Sequence, residues 1–358
     1  MPSSARPIAF YLPQFHPIPE NNAAWGEGFT EWTHVRQARP LFPGHRQPRV
    51  AGELGYYDLR DSRVRKLQTD LAREHGIEGF CYWHYWFEGR RVLEVPFTKV
   101  LASREPDYPF CLCWANQSWT GVWYGNPDRI ILEQTYGGRT DDEVHFAALL
   151  PAFRDPRYIR VDGKPLFVVF MPQNLTKDLP SPPAFAKRFK DLAQAAGLPG
   201  LFLVGFGDQS WNPAHWHFDG ALPHAPQHYT EGLAPIGTET GAAQPTRYRY
   251  SDVAEAALRL KLRDCDYPCM IPNWDNTPRS SERGVVFLDE GPTAFGRHLA
   301  DAITKVATRP PEHQLLFIKS WNEWAEGNYL EPDAEHGRGY LEALRDLVHR
   351  RDGKAPDG

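Results

Sequence analysis

Short apolar runs recur along this chain, and most are continuous rather than alternating. Eight stand out, at 7–12, 77–83, 110–115, 166–170, 201–206, 220–223, 270–273 and 315–319, the sixth being the weakest. Continuous runs of this length suit strands buried on both faces, the habit of parallel sheets. Between them the period changes. Residues 62–75 carry Val64, Leu67, Leu71 and Ala72 at a spacing near 3.6, with Asp61 or Ser62 as the N-cap. Segments 141–153, 184–196, 252–262, 293–306 and 338–349 read the same way, and 212–218 is a weaker helix candidate. Eight strands alternating with helices predict an α/β protein: a single (β/α)8 TIM barrel over residues 1–350 with long βα loops, then a polar tail at 351–358. The competing arrangement is an open doubly wound sheet. No Gly-x-Gly-x-x-Gly turn follows any run, so no dinucleotide cofactor is signalled.

In such a barrel chemistry sits where strands end, so the residues after each run carry the functional signal. Gln14 and His16 follow the first, and His84, Tyr85 and Trp86 the second. Trp114 ends the third strand, with Asn116, Gln117, Trp119 and Trp123 beyond it. Asp208 follows the fifth, His224 and His228 the sixth, and Trp274, Asp275 and Asn276 the seventh. The first loop, 17–60, is far longer than most connections and reads as a lid or wall. It holds Trp25, Glu31 and Trp32. None of the twelve tryptophans falls in the six clearer helices, so they gather on the expected rim rather than spread through the core. Their flat faces suit the C–H patches of sugar rings, with Asn, Gln, His and Asp between them to bond hydroxyls. Packing beneath long loops is the plainer reading for about half of them.

The eighth run breaks into Ser320-Trp321-Asn322-Glu323-Trp324-Ala325-Glu326-Gly327. Two carboxylates three residues apart, flanked by tryptophans, fit glycosidic chemistry. One carboxyl protonates the departing oxygen and the other generates or stabilises a nucleophile. Burial against Trp321 and Trp324 would raise one pKa. The plainer alternative is one catalytic carboxylate and one helix cap.

Composition narrows the field. A net charge of −5, from 40 basic and 45 acidic residues well mixed, offers no nucleic-acid surface. No run approaches the roughly 20 apolar residues of a membrane span. The N-terminus shows no signal-peptide core, so the chain as written is expected in the cytoplasm, with one domain of a longer protein as the alternative. Five cysteines without Cys-x-x-Cys spacing read as free thiols, and the histidines lack a metal-binding helix motif, so no metal is expected.

Four motifs resemble a known family. Phe10-Tyr11-Leu12-Pro13-Gln14-Phe15-His16-Pro17, Trp25-Gly26-Glu27-Gly28-Phe29-Thr30-Glu31-Trp32, Cys113-Trp114-Ala115-Asn116 and Trp321–Gly327 look like the WbsX-type proteins, over about 7–347. These are similar to glycoside hydrolase family 99, the endo-acting α-mannosidases and mannanases, whose last strand ends in Asn-Glu-Trp-x-Glu-Gly. The resemblance implies a retaining mechanism. Glu323 would act as base on the substrate's own 2-hydroxyl, giving a 1,2-anhydro sugar, and Glu326 as general acid and then base. Such chemistry needs a 2-oxygen trans to the leaving group, hence α-mannosides or α-L-rhamnosides. The chain departs from the pattern at Asn116-Gln117 and Gly121-Val122, where the family often has a glutamate and a basic pair. That departure favours a neutral or deoxy sugar. The family name also carries an association with O-antigen assembly, so a glycosyltransferase is the second expectation and a non-catalytic carbohydrate-binding barrel the third.

Overall fold

The computed structural model describes residues 5–121, 126–176, 183–237 and 244–349. Eight parallel strands build one sheet: β1 (Arg6–Tyr11), β2 (Gly79–Phe87), β3 (Phe110–Trp114), β4 (Lys164–Val169), β5 (Phe202–Phe206), β6 (Gly220–Leu222), β7 (Cys269–Met270) and β8 (Leu315–Ile318). They are hydrogen-bonded in the order β6-β5-β4-β3-β2-β1-β8-β7. The two edges meet at a parallel bridge between Ala221 and Asp266. There Ala221 N donates to Cys265 O and Tyr267 N to Ala221 O, each at 2.8 Å. That contact rolls the sheet into the expected (β/α)8 barrel.

The buried strand patterns follow from the sequence runs. All nine residues of β2 are buried, one set of side chains filling the barrel and the other meeting helices. Cys81 lies opposite Cys111 and Trp83 opposite Cys113, so small thiols leave room for a bulky ring in the barrel floor. Run and strand differ in length by more than one residue at two places. β2 continues to Phe87 because its end pairs antiparallel with Arg90–Val92, and β7 keeps only two residues.

The first loop contains α1 (Pro19–Trp25) and α2 (Glu31–Gln37). The crossovers then supply α3 (Ser62–Glu74), α4 (Val95–Ser103), α5 (Gly138–Phe153) and α6 (Pro183–Ala195). A 3-10 turn at Pro213–Trp216 stands in for the weaker helix candidate at 212–218. After it come α7 (Gln227–Thr230), α8 (Tyr250–Arg259), α9 (Thr277–Ser280), α10 (Pro292–Val306) and α11 (Gly339–His349). Asp61 does cap α3, accepting from Arg63 N at 2.8 Å. Leu67, counted in its apolar period, is 54% exposed, whereas Gln68 is buried. Gln68 reverses the expected pattern because its amide finds a buried acceptor, Glu331 Oε1, at 2.7 Å. α4 was not expected. It is short, and only Pro96 and Val100 are buried on it, too narrow a face for a helical period to show. The tail at 351–358 lies outside the described residues, among which no helix is long and apolar enough to cross a membrane.

Candidate active site

β8 ends at Ile318, and the chain turns over the barrel mouth. Asn322–Glu323 pairs antiparallel with Asn328–Tyr329 around a 3-10 turn at Trp324–Glu326. Gly327 closes this hairpin at φ +54°, and a Cβ there would lie 2.8 Å from both Cβ and N of Asp275. Glycine alone accepts both the dihedral and the close approach. Asp275 N donates to Glu326 O at 2.7 Å. Asn322 clamps the end of β1, its Oδ1 accepting from Leu12 N (2.7 Å) and its Nδ2 donating to Leu12 O (3.1 Å). Beneath the turn, buried Glu331 accepts from Trp324 Nε1 (2.7 Å), Gln68 Nε2 (2.7 Å) and Tyr57 OH (2.8 Å). Burial pushes its carboxyl up to about 7, against those hydrogen bonds.

Arg279 of α9 organises the acidic centre. Its Nη1 donates to Glu326 Oε1 at 2.8 Å, and its Nη2 to Glu31 Oε1 at 2.7 Å and Glu323 Oε2 at 3.2 Å. The two carboxylates of the β8 motif therefore hold opposite ends of one guanidinium. Glu31 is fully buried and also accepts from Ala325 N at 2.9 Å, so α2 is pinned to the turn at Trp324–Glu326. Lys319 Nζ lies 4.0 Å from Glu326 Oε2 and 5.1 Å from the Trp274 ring centroid. Burial, and then the Glu326 charge, push Glu323 up to about 8, while Arg279 pulls the other way. Burial also raises Glu31. Arg279 itself remains charged, because the field of Glu31, Glu326 and Glu323 outweighs its burial.

This centre opens on a cavity of about 680 Å³, a size usual for small-molecule sites. Of the residues expected on the rim, Gln14, Trp25, Tyr85 and Gln117 line it, as do Trp119, His224 and Trp274 with Glu323 and Glu326. Trp25 and Trp119 come from the loops after β1 and β3, and Trp274 from the turn after β7.

The other expected residues sit elsewhere, each for an identifiable reason. His16 is buried, its Nδ1 at 3.0 Å from Pro13 O. Trp32 donates to Tyr57 O at 2.9 Å and packs on Phe15 and Trp324, beneath the loop. His84 meets His145 Nε2 at 2.9 Å, and Trp86 stacks on the same His145 ring while donating to Asp141. These two side chains point to the outer face of β2, so the strand end gave the right place but the wrong side. Trp114 packs on Phe185 of α6. Asn116 bonds both polar groups of Met171, accepting from N and donating to O at 2.7 Å each, and so joins the loops after β3 and β4. Buried Asp275 accepts from His45 Nε2 (2.8 Å) and Gln47 Nε2 (2.7 Å) and holds the first loop down. Trp321 and Asn322 are wholly buried, and Glu31 supports Arg279 rather than facing the cavity. Asp208 lines a separate cavity. Trp123 lies outside the described residues.

Sequence reasoning missed Arg279, Lys319, Asn21 and His34, all of which line the cavity. Lys319 closes the eighth run, and its position after a β-rich stretch was a usable signal. Arg279 gave none, since α9 is four residues long.

With this geometry in hand, comparison with known proteins is informative. The model of the family described as Glycosyltransferase WbsX matches residues 7–344. The chain belongs to the WbsX family. It is 38% identical to the uncharacterized protein WxcX of Xanthomonas campestris pv. campestris, strains B100 and ATCC 33913 alike, over 98% of this chain and 50% of the relative. The chain thus spans about half the length of those curated relatives. Among solved structures, a glycoside hydrolase-like protein covers 96% of the chain at TM-score 0.59 and 14% identity, with 94% of its own length matched. A GH99 endo-alpha-mannosidase from Bacteroides thetaiotaomicron, solved with bis-tris-propane, covers 99% at TM-score 0.58 and 16% identity, with 98% of its length matched. At those identities the likeness is one of fold, and WbsX membership rests on the sequence match.

Proposed function

We propose that this WbsX chain is a retaining glycoside hydrolase. Its substrates are α-linked manno-configured glycosides, α-mannosides or α-L-rhamnosides, of a bacterial polysaccharide or oligosaccharide. The observation that carries this reading is the pair Glu323 and Glu326 on one guanidinium at a cavity lined by Trp25, Trp119 and Trp274. In the mechanism that the family 99 resemblance implies, Glu323 takes the proton of the substrate 2-hydroxyl. That oxygen attacks the anomeric carbon as Glu326 protonates the departing oxygen. Glu326 then takes a proton from water, which opens the 1,2-anhydro ring, and Glu323 returns its proton to the 2-oxygen. Two inversions give net retention, and the neighbouring hydroxyl is already positioned for attack.

The cycle needs one proton on the carboxyl pair. In the free site that proton rests on Glu323, whose carboxyl burial has raised. The reaction begins with it on Glu326. The two states hold the same number of protons and differ only in which oxygen carries one. A bound sugar offers each carboxyl a new partner, the 2-hydroxyl as donor to Glu323 and the glycosidic oxygen as acceptor from Glu326, which favours the second state.

The family's description supports a second reading, a glycosyltransferase of surface-polysaccharide assembly. One experiment separates the two. The protein is incubated with aryl α-mannosides, aryl α-L-rhamnosides and bacterial O-polysaccharides, beside Glu323→Gln and Glu326→Gln, and released sugar is followed by mass spectrometry. Release by the wild type and loss in both variants is expected. Product appearing only when a nucleotide-sugar donor and an acceptor are supplied would overturn hydrolysis in favour of transfer.

A further inference from the structure

A second cavity, of about 310 Å³, lies beside the first at the ends of β5 and β6. The turn after β5 supplies Asp208, Gln209 and Ser210 to its lining, and the segment before β7 supplies Arg263 and Asp266. His228 of α7 lines both cavities, so they are neighbours sharing one residue. The tautomer of that ring is set by its surroundings. His224 N donates to His228 Nδ1 at 3.2 Å, which leaves the ring proton on Nε2. Burial lowers the pKa of His228, so the ring is neutral near pH 7. It presents one N–H donor and an apolar face, as a sugar hydroxyl and its ring would require.

The charges of the second cavity, Asp208, Glu231, Asp266 and Arg263, point the same way, with no cation among the described residues left over beside the carboxylates. Arg263 is engaged with Asp266, Nη2 to Oδ1 at 2.7 Å and Nε to Oδ2 at 2.9 Å, and Nη1 donates to Trp211 O at 2.9 Å. It has little left for an anion. Asp208 anchors its turn through Oδ1 alone, accepting from Ser210 N (2.8 Å), Ser210 Oγ (2.5 Å) and Trp211 N (3.1 Å). A pre-set carboxylate beside Gln209 and Ser210 suits the hydroxyls of a neutral polyol.

We infer that the second cavity is a further sugar subsite, reached when a glycan chain leaves the catalytic cavity past His228. The inference rests on the glycosidase reading and adds to it a direction for the chain and a preference for oligosaccharides. The test compares kcat/KM on one-sugar aryl α-mannosides and α-L-rhamnosides with that on α-linked manno- and rhamno-oligosaccharides of two to five units. Turnover should rise about tenfold once the chain is long enough to reach the second cavity, the effect of about 1.4 kcal/mol of added binding. Gln209→Trp, which fills that cavity, should remove the gain through KM and leave aryl glycosides within about twofold. The isosteric Asp208→Asn should lower the gain about threefold with the turn intact. A gain absent in the wild type, or present and untouched in both variants, overturns the subsite while leaving the hydrolase reading in place. Should no glycoside be cleaved, the hydrolase reading falls by itself. Calorimetry with the same oligosaccharides then decides: tighter binding with length, lost in Gln209→Trp, upholds the subsite, and no binding or no difference overturns it.

Discussion

The proton that the proposed mechanism passes between Glu323 and Glu326 makes the site testable through pH. A carboxyl pushed up to about 8 holds its proton through neutrality. Above that value Glu323 has released its proton, and on the proposed mechanism none is then held there for the leaving oxygen. The kcat/KM of the free enzyme should therefore fall as pH rises through about 8, and a flat profile from pH 7 to 9 would sink the shared-proton account. Arg279 sets where that limb falls, because its cation stabilises the ionised forms of three buried glutamates. Arg279→Met should move the alkaline limb to higher pH and lower kcat by roughly 10²-fold, given the 10²–10⁴-fold worth of acid–base groups. Arg279→Lys keeps the charge but loses the fork that grips two carboxylates at once. It should keep the limb near its wild-type position with a smaller loss in kcat. An identical limb in Arg279→Met and the wild type would leave Arg279 with a packing role only.

The hairpin after β8 positions both glutamates, and Gly327 is its tightest point. Gly327→Ala forces a methyl against the backbone of Asp275 at positive φ, so a loss of about 2 kcal/mol or more is expected in urea unfolding. Because Asp275 N also holds Glu326 O, activity should drop further than stability alone explains, and a variant with wild-type kcat and stability would refute the account of the turn. Elements like this one mark how far the sequence could be read. Eight apolar runs became eight strands because a strand buried on both faces needs little beyond local composition. The place of Glu323 and Glu326 at the cavity was legible for the same reason, since they stand directly after a run. Position along a strand says where its end lies but not which way each residue faces. His84 and Trp86 accordingly turned outward to His145, while Tyr85 between them lines the cavity. Arg279 was illegible because its partners Glu31 and Glu323 lie 248 and 44 residues away. Only tertiary structure brings them together.

Across the whole molecule, two sets of buried groups oppose each other as pH changes. Among the described residues, burial lowers the pKa of seven histidines, His16, His34, His84, His145, His224, His228 and His298, so the folded state keeps them neutral. In the unfolded chain they protonate below about 6.5, so stability falls as pH drops below that value. The raised carboxyls act in the other direction. Glu331, at about 7, and Glu323, at about 8, bind a proton in the folded state that the unfolded chain has already released above about 4.5. Their contribution is fully present below that unfolded value and is lost as pH rises through 7 and 8. Between 4.5 and 6.5 seven histidines outweigh the five raised carboxyls, Glu31, Asp141, Asp142, Glu323 and Glu331. Above 6.5 the histidine effect is spent, and Glu331 and Glu323 remain. Thermal stability should therefore peak near pH 6.5 and decline toward pH 8, with about 2 kcal/mol of the decline due to Glu323. Glu323→Gln cannot ionise, so its Tm should keep the acid-side fall and lose most of the alkaline one, a difference of a few degrees by pH 8. Scanning calorimetry of both proteins at pH 5, 6.5 and 8 checks this, and parallel curves would mean that the Glu323 proton is not held by the fold. On the proposed mechanism the same proton serves the leaving group, so the residue that erodes stability above neutrality is the one whose loss should abolish turnover.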